Sequence, residues 1–459
     1  MTRILLALFV CALPAFSASA AKVGDGSAVT FNEHIAEIVF NNCTSCHRPG
    51  QGAPFALMNY SDVHKRGMLI QAVTQSKFMP PWQAKKDYGH FKDERRLTDE
   101  QIALIGKWVT SGMAEGDVAA RPKMPDFPEG WQLGEPDLIV EMETPYVVPA
   151  DGADVYRNFP AAIGTTEDKW VRAVEFRPGS RSIMHHSLFA ADTTGQARAL
   201  DAKDEEVGYG GMGGGVRGTT SLGGWAVGGG PSIFPPEAPI KMPANADFLF
   251  RSHFHPSGKV ESEVSSIAIY YADKPATRKR INIQLPPLFG RGAGIDIPAG
   301  ESKFTIREQY TLPAAVDIYS AGPHAHYVGK DFRGWAVLPD GEEVPLIHIE
   351  DWDFNWQGGY TYAEPVRLPK GATIHVEISY DNSAENPRNP HNPPKPVTWG
   401  LASYDEMGSI GFSSLPVYNE DIDVIRAEYR KLQAKHTKQA REQMKGRQST
   451  IRRTAGADD

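Results

Sequence analysis

Two histidines separated by one residue lie in the segment AGPHAHYVGK, residues 321–330. They are His324 and His326. Side chains at positions i and i+2 of a β-strand leave the same face, so both imidazoles can reach a single metal ion. A pair of surface histidines would show the same spacing, and the other histidines of the chain must therefore decide between the two interpretations.

Two further close pairs occur among the 14 histidines of the chain, in MHHSLFA and in RSHFHPSG. His185 and His186 are adjacent, so a regular strand would point them to opposite faces, and a bulge or bend is needed to bring both to one ion. His253 and His255 share a strand face and compete as a third ligand. Three such pairs in strand-rich sequence favour metal binding, because imidazole is a good ligand for zinc, copper, iron and nickel.

A separate constellation, FNNCTSCHRPG, places Cys43, Cys46 and His47 in the spacing that attaches a c-type haem. The two thiols bind the porphyrin, and the histidine binds the iron from one side. A structural zinc site would need two more ligands at matching spacing, and a redox dithiol does not require a histidine after its second cysteine. The motif therefore predicts one covalently bound haem c, and the stretch from about Val29 to Gly116 resembles the small cytochromes c.

The second axial ligand of this haem is expected to be a methionine, since thioether ligation is common in cytochromes c. The candidates are Met58, Met68, Met79 and Met113. Met79 is preferred because it lies in KFMPPW, a proline-containing loop of the kind that the resemblance implies for this ligand. A methionine is otherwise a filler of apolar cores, and this remains the alternative for each of the four.

Helices must position the haem. Residues 31–42 carry an apolar stripe at helical spacing, and LTDEQIALIGKWVTSG begins with Thr98 and Gln101 in capping-box spacing. Gly112 is a helix stop signal. These patterns predict two helices, and the resemblance to the cytochromes c implies that they pack together beside the haem. The apolar positions of the first are Phe31, Ile35, Ile38 and Val39.

Strands must position the histidine pairs. DKWVRAVEFRPGS and ADFLFRSHFHPSG alternate along two faces, and 44 glycines and 35 prolines indicate many turns. Short strands with frequent turns over most of the remaining chain predict β-sandwiches. The sequence is thus expected to be mainly β, with two jelly-roll-like β-sandwich domains preceded by a small all-α cytochrome c domain.

The first 20 residues, MTRILLALFVCALPAFSASA, have the pattern of a secretory signal peptide, and no later segment is long and apolar enough to span a membrane. Periplasmic or secreted localisation is therefore expected. Removal of Cys11 with the signal leaves only two of the three cysteines, both in the haem motif, so no disulfide framework is expected. The net charge of −8 argues against a nucleic-acid partner.

The ordered set of motifs resembles the copper type II monooxygenases, from about Asp137 to Phe412. MHHSLFA resembles the adjacent pair of that family's three-histidine copper site, and RSHFHPSGK resembles the stretch that supplies the third histidine. HAHYVGK resembles the His-x-His pair of the second copper, and SYDEMG the segment with its methionine. Unlike the animal enzymes, this sequence has no cysteine in the sandwich region. No lyase domain is recognised in it, and the family's substrate contacts are not assigned to its residues, so peptide or catecholamine substrates are not implied.

The resemblance implies two copper ions, one that stores an electron and one at which O₂ is activated. The implied ligands are His185, His186 and His253 for the first ion, and His324, His326 and Met407 for the second. The implied reaction is hydroxylation of a C–H bond of a small-molecule substrate by O₂. Electrons would come through the haem from a periplasmic donor, or from an ascorbate-like reductant.

Two other functions remain open at this point: a copper-binding or sensing protein without turnover, and an electron-transfer cytochrome with non-catalytic β-domains. The predicted boundaries are a signal peptide at 1–20, the cytochrome domain at 21–118, a linker at 119–134, the two sandwiches at 135–278 and 279–418, and a polar helical or disordered tail at 419–459.

Overall fold

The computed structural model describes residues 28–455 apart from 52, 128–129 and 212–214, with side chains described as far as 446. The predicted signal peptide lies outside the described residues. The chain forms two compact units, one of Met1–Lys77 with Leu97–Pro125 and the other of Phe78–Arg96 with Asp126–Asp459. Within the part of the chain that is described, no helix combines the length and apolarity needed to cross a bilayer.

The first unit contains short helices around one apolar core. The core includes Phe31, Ile35, Val39 and Trp108, the last of which is fully buried. A π-helical turn at Phe31–Ile35 leads into the first helix. The predicted capping box is confirmed, because Thr98 and the residue three positions later bond each other's backbone N–H groups. The helices are α1 (Ala36–Asn42), α2 (Tyr60–His64), α3 (Gly67–Gln75) and α4 (Asp99–Thr110).

The second unit is mainly β. The described residues of its first half form twelve strands and one short helix, α5 (Gln196–Asp201). The strands are β1 (Leu138–Glu141), β2 (Tyr146–Val148), β3 (Val155–Ala162), β4 (Lys169–Arg177), β5 (Met184–Asp192), β6 (Tyr209–Gly210), β7 (Thr220–Ala226), β8 (Ser232–Ile233), β9 (Ile240–Met242), β10 (Asp247–Phe254), β11 (Glu261–Glu263) and β12 (Ser266–Tyr271).

Two antiparallel sheets dominate this half, with strand orders β1-β12-β4-β8 and β6-β3-β10-β5-β7, and β9 pairs with β4. Phe248, Phe250 and Phe254 alternate along β10 and are fully buried in the first sandwich core. The predicted alternation of β10 is therefore confirmed for its apolar face. Because successive side chains of a strand leave opposite faces, His253 points away from this core.

The second half of the unit has ten strands in two four-stranded antiparallel sheets and one smaller pair. The four-stranded sheets have the orders β13-β22-β16-β19 and β15-β20-β17-β18. The strands are β13 (Ile281–Leu285), β14 (Asp296–Ile297), β15 (Phe304–Thr311), β16 (Val316–Ala325), β17 (Gly329–Val337), β18 (Glu343–Ile349), β19 (Tyr360–Leu368), β20 (Thr373–Tyr380), β21 (Val397–Thr398) and β22 (Gly408–Pro416).

The segment Phe78–Arg96 packs against this second half, although the sequence interpretation had included it in the cytochrome domain. Ala84 forms a β-bridge with Ile349, and Phe91 forms another with Tyr362. Both Ala84 and Phe91 belong to the second sandwich core. The segment joins the second unit because its apolar side chains are buried there and its backbone extends the sheets.

The C-terminal segment forms one long helix, α6 (Ile422–Ala455). The sequence had suggested a polar helical or disordered tail; the segment is helical, and its residues Ile425 and Tyr429 are buried against the strands of the second half. The Tyr310 hydroxyl donates a hydrogen bond to the Ile425 carbonyl, and the Tyr429 hydroxyl donates one to the Gln284 carbonyl. The helix docks through a narrow stripe of apolar positions within an otherwise polar sequence.

Candidate metal centres

The adjacent histidines of MHHSLFA lie on β5, which pairs with β10. His253 pairs with His186, but the next residue of β10, Phe254, pairs with Met184, so His185 is the extra residue of a β-bulge. This is the irregularity that adjacent ligands require, because it turns one of two successive side chains toward the other. The bulge brings His185, His186 and His253 together.

The three imidazoles converge through their Nδ1 atoms. His185 Nδ1 lies 3.1 Å from His186 Nδ1 and 3.2 Å from His253 Nδ1. The three residues form a group whose possible ligand atoms all lie within 4.8 Å of one another. Two nitrogens that bind one ion at about 2.0 Å in tetrahedral geometry are about 3.3 Å apart, so this spacing fits a metal.

Burial keeps the imidazoles of His185 and His186 neutral at physiological pH. Desolvation, reinforced by the neighbouring His253, lowers the pKa of His185 to about 3. Desolvation also lowers the pKa of His186 well below its ordinary value. A neutral imidazole carries a free lone pair on one ring nitrogen, and it is this form that binds metals.

The choice between His253 and His255 is resolved by strand geometry. β10 ends at Phe254, so His255 lies beyond the strand, and its side chain is 63% exposed. His255 Nδ1 bonds Asp154 Oδ1 at 2.8 Å, whereas His253 is buried in the triad. His253 is therefore the third member of the group, as the resemblance implies.

The second group lies where β16 pairs with β22. His324 is opposite Ser409, and Ala325 is opposite Gly408. The two imidazoles are neighbours, with ring centroids 5.4 Å apart. Met407 directly precedes β22, at the end where its partner β16 finishes, and both His326 and Met407 are 5% exposed. The role of Met407 as a third ligand stays a prediction.

Glu406 fixes the backbone of this second group. Its side chain is fully buried, and its carboxylate accepts hydrogen bonds from the backbone N–H groups of His326, Val328 and Met407. One carboxylate therefore joins the end of β16 to the segment that carries the methionine. Sequence reasoning had noted this acid only as a neighbour of Met407.

Hydrogen bonds select the free nitrogen of each imidazole in the second group. His324 Nδ1 lies 2.6 Å from Gln357 Oε1, and His326 Nδ1 lies 3.2 Å from the Asp405 carbonyl oxygen. Both oxygens only accept hydrogen bonds, so each Nδ1 carries the proton and each Nε2 keeps its lone pair. Desolvation lowers the pKa of His324 to about 4 and that of His326 to about 3, which keeps both rings neutral.

Phe354 lies between the two groups. Its ring stacks on His185 with centroids 4.6 Å apart and meets His326 edge-on at 5.7 Å. The imidazole centroids of His185 and His326 are therefore no farther apart than about 10 Å, the sum of these two distances. The two groups belong to one continuous region of the second unit.

In the first unit, the haem motif follows α1 directly. Cys43 is partly buried and Cys46 is exposed, and both thiols are free. His47 Nδ1 lies 3.1 Å from the Phe55 carbonyl oxygen, so this nitrogen carries the proton and Nε2 keeps the lone pair. Burial raises the pKa of the Cys43 thiol to about 12, with a further contribution from Cys46. A catalytic dithiol needs a lowered thiol pKa, so this environment disfavours that alternative.

The methionine predicted as the second axial ligand, Met79, belongs to the second unit, whereas Met58, Met68 and Met113 belong with His47 to the first. Met68 is 71% exposed, and Met113 packs against the core of the first unit. The role of Met79 stays a prediction.

Sequence reasoning missed several residues that shape these groups. Asp154, Phe354, Gln357 and Glu406 contact candidate ligands, but each is distant in sequence from the histidines that it contacts. Isolated acids, amides and aromatic residues have no distinguishing pattern in a single sequence. Only Glu406 is adjacent in sequence to a predicted ligand, Met407.

Comparison with known proteins gives little further information. No protein-family model matches the chain, and no significant match to a curated protein was found. Among solved structures, the chain is similar to PNGF-II, with 11% identity, 70% of each chain covered and a TM-score of 0.23. Recombinant peptide:N-glycanase F matches at 10% identity over 61% of this chain and 96% of its own, with a TM-score of 0.24.

A putative α-L-fucosidase from Bacteroides ovatus matches at 12% identity over 60% of this chain, with a TM-score of 0.17. The match spans 39% of the fucosidase chain. Similarities at these TM-scores carry no argument about function, which must be argued from the sites themselves.

Proposed function

We propose that this protein is an exported copper-dependent monooxygenase that hydroxylates a C–H bond of a small organic substrate with O₂ and receives electrons through a covalently bound haem c. The observation that carries the proposal is the convergence of three Nδ1 atoms, from His185, His186 and His253, at 3.1–3.2 Å around His185. A second imidazole pair within about 10 Å of this group supports it.

The donor sets of both groups fit copper. Three imidazoles suit zinc, nickel, iron or copper, so the first group alone does not select the ion. The thioether of Met407, which we propose as the third ligand with His324 and His326, would add a soft ligand, and soft ligands favour Cu(I). A chain that builds both groups in one region is best explained by two copper ions.

Bound at these sites, copper would store two electrons and activate O₂, so that one oxygen atom enters the substrate C–H bond and the other leaves as water. The residues of the chain provide the surroundings for that reaction. Gln357 and the Asp405 carbonyl hold the protons of His324 and His326 on Nδ1, which leaves both Nε2 lone pairs free. Phe354 places an apolar ring against one imidazole of each group.

The geometry of the first unit fits a haem. Cys43 and Cys46 offer two free thiols, and the Phe55 carbonyl leaves His47 Nε2 available for the iron. A haem held there would pass single electrons from a periplasmic donor to the copper sites. Met79 remains the proposed second axial ligand.

The proposal is tested by counting metals and measuring O₂ chemistry in the purified, haem-loaded protein. We expect two coppers and one haem per chain, and ¹⁸O from ¹⁸O₂ in a product when cell metabolites and a reductant are supplied. His185→Ala should lose one copper and the activity, whereas the control His375→Ala should keep both, because His375 lies outside both groups and stacks on Trp335.

Other outcomes would replace the proposal by a different function. Two coppers without substrate-dependent O₂ uptake would indicate a copper-binding or sensing protein. A haem without copper would indicate an electron-transfer cytochrome whose β-domains are not catalytic.

A further inference from the structure

Asp154 lies immediately before β3, where this strand meets the end of β10. Its carboxylate bonds His253 Nε2 at 2.9 Å and His255 Nδ1 at 2.8 Å, and it accepts a further hydrogen bond from the Ser403 hydroxyl. Tyr156 pairs with His253 in the sheet. The carboxylate therefore stands behind the first metal group, on the side of His253 opposite to the other two imidazoles.

The hydrogen bonds of this carboxylate determine which nitrogen of His253 is free. An ionised carboxylate only accepts, so His253 Nε2 carries the ring proton and Nδ1 keeps the lone pair. That Nδ1 is the atom that lies 3.2 Å from His185 Nδ1. The phenol ring of Tyr156 stacks on the His253 ring, with ring centroids 4.1 Å apart and an interplanar angle of 21°. This stacking restricts rotation of the His253 imidazole.

The same carboxylate contacts the segment that precedes Met407. This segment contains Ser403 and the Asp405 carbonyl that accepts a hydrogen bond from His326 Nδ1. The Tyr156 hydroxyl also donates a hydrogen bond to this segment, at the Leu401 carbonyl oxygen, 3.4 Å away. One short stretch, Asp154 to Tyr156, therefore contacts both the first group and the segment next to the second.

We infer that Asp154 is a positioning residue that fixes His253 as an Nδ1 ligand of the first metal and, through Ser403, sets the separation of the two metals. This inference rests on the proposed function, since it assumes that copper occupies both groups. Carboxylates that orient metal-binding histidines change metal affinity by roughly tenfold to a hundredfold when they are removed.

The test uses the full-length, haem-loaded protein with copper alone as the probe. Asp154→Asn should weaken copper binding at the first site by roughly tenfold to a hundredfold and alter its Cu(II) EPR spectrum, while the second site keeps its affinity. The matched control is Asp151→Asn, which changes an exposed acid of the same loop. His255→Ala removes another partner of the carboxylate and should leave the first-site affinity unchanged.

Ser403→Ala tests whether Asp154 sets the separation of the two metals. This variant lacks the hydroxyl that donates to the Asp154 carboxylate. It should leave copper affinity at the first site unchanged but reduce the dipolar broadening between the two Cu(II) ions in the EPR spectrum. Unchanged copper affinity and EPR spectrum in Asp154→Asn would overturn the positioning role, and unchanged broadening in Ser403→Ala would overturn the role of Asp154 in setting the metal separation. If the unsubstituted protein bound no copper, the proposed function itself would fail, and the inference with it.

Discussion

Phe354, from the second β-sandwich, stacks on His185, from the first, with ring centroids 4.6 Å apart and ring planes at 28°. Phe354 is 5% exposed and also contacts Tyr327, with ring centroids 4.6 Å apart. An apolar side chain thus separates two groups of polar ligands. Phe354 therefore places an apolar ring against ligands of both proposed metal sites.

Phe354→Ala is expected to admit water between the two groups. Removal of a buried phenyl ring costs about 3 kcal/mol of stability, whereas Phe354→Leu, which keeps most of the volume, should cost about 1 kcal/mol. Both copper ions should still bind, but more of the O₂ consumed should appear as hydrogen peroxide instead of hydroxylated product. Chemical denaturation and the ratio of peroxide to product measure the two effects. This role would be contradicted if Phe354→Ala had the same stability and the same ratio of peroxide to hydroxylated product as the unsubstituted protein.

Replacement of Glu406 should remove the second metal site selectively. Glu406→Ala leaves the buried backbone N–H groups of His326, Val328 and Met407 without their acceptor, and each unsatisfied group costs about 1–3 kcal/mol. We therefore expect a large fall in thermal stability and a copper content of one per chain. Asp405→Asn is the control, because it is the Asp405 backbone carbonyl that bonds His326. Retention of both coppers in Glu406→Ala would show that this carboxylate does not organise the site.

The docking of α6 should depend on pH through Glu308. Burial raises the pKa of Glu308, but the hydrogen bond from His436, the backbone N–H of Gln309 and nearby Lys435 together lower it below its ordinary value. A carboxyl group with a depressed pKa stabilises the fold above its unfolded-state pKa, near 4.5, and this contribution is lost as the pH falls through its folded-state pKa.

Glu308→Gln should therefore flatten the acid limb of the stability curve and lower stability at neutral pH. Unfolding free energies measured from neutral pH down into the acid range test this. Glu420→Gln, which changes an exposed acid beside the start of the same helix, should keep the original curve. Identical acid limbs for Glu308→Gln and the unsubstituted protein would refute the contribution.

Covalent attachment of haem in the first unit should depend on Cys43 and Cys46. Cys43→Ser with Cys46→Ser should abolish covalent haem, because no thiol remains to bond the porphyrin, and His47→Ala should change the iron spin state while covalent attachment persists. Intact-protein mass and the visible absorption spectrum measure these outcomes. Thr44→Ser is a conservative control within the motif, since its hydroxyl can still donate to the Leu57 carbonyl. A protein purified from a haem-maturing host without covalent haem would contradict the prediction.

The sequence predicted the strands around the candidate ligands because their alternation is a local property. The alternating phenylalanines of β10 are buried as expected, and adjacent His185 and His186 required the bulge that the structure contains. The third ligand stayed ambiguous, because alternation gives His253 and His255 the same face. Only the end of β10 at Phe254 separates them, and strand ends depend on tertiary pairing.

Long-range contacts were not predictable from the residues alone. The segment Phe78–Arg96 has no pattern that assigns it to the second unit, and its partners Ile349 and Tyr362 lie far along the chain. The same holds for Asp154 and Ser403, which meet across 249 residues. The sequence of α6 is mostly polar, because the helix is buried along one narrow stripe, which includes Ile425 and Tyr429. So few apolar positions did not predict that the helix docks.

The central claim, that the histidines of the second unit hold two copper ions, is tested most directly by anomalous X-ray diffraction at the copper absorption edge from crystals of the copper-loaded protein. We predict two peaks. One should lie about 2.0 Å from the Nδ1 atoms of His185, His186 and His253, and the other should lie beside His324, His326 and Met407. Copper bound elsewhere, or no copper peak at the three Nδ1 atoms, would contradict the account.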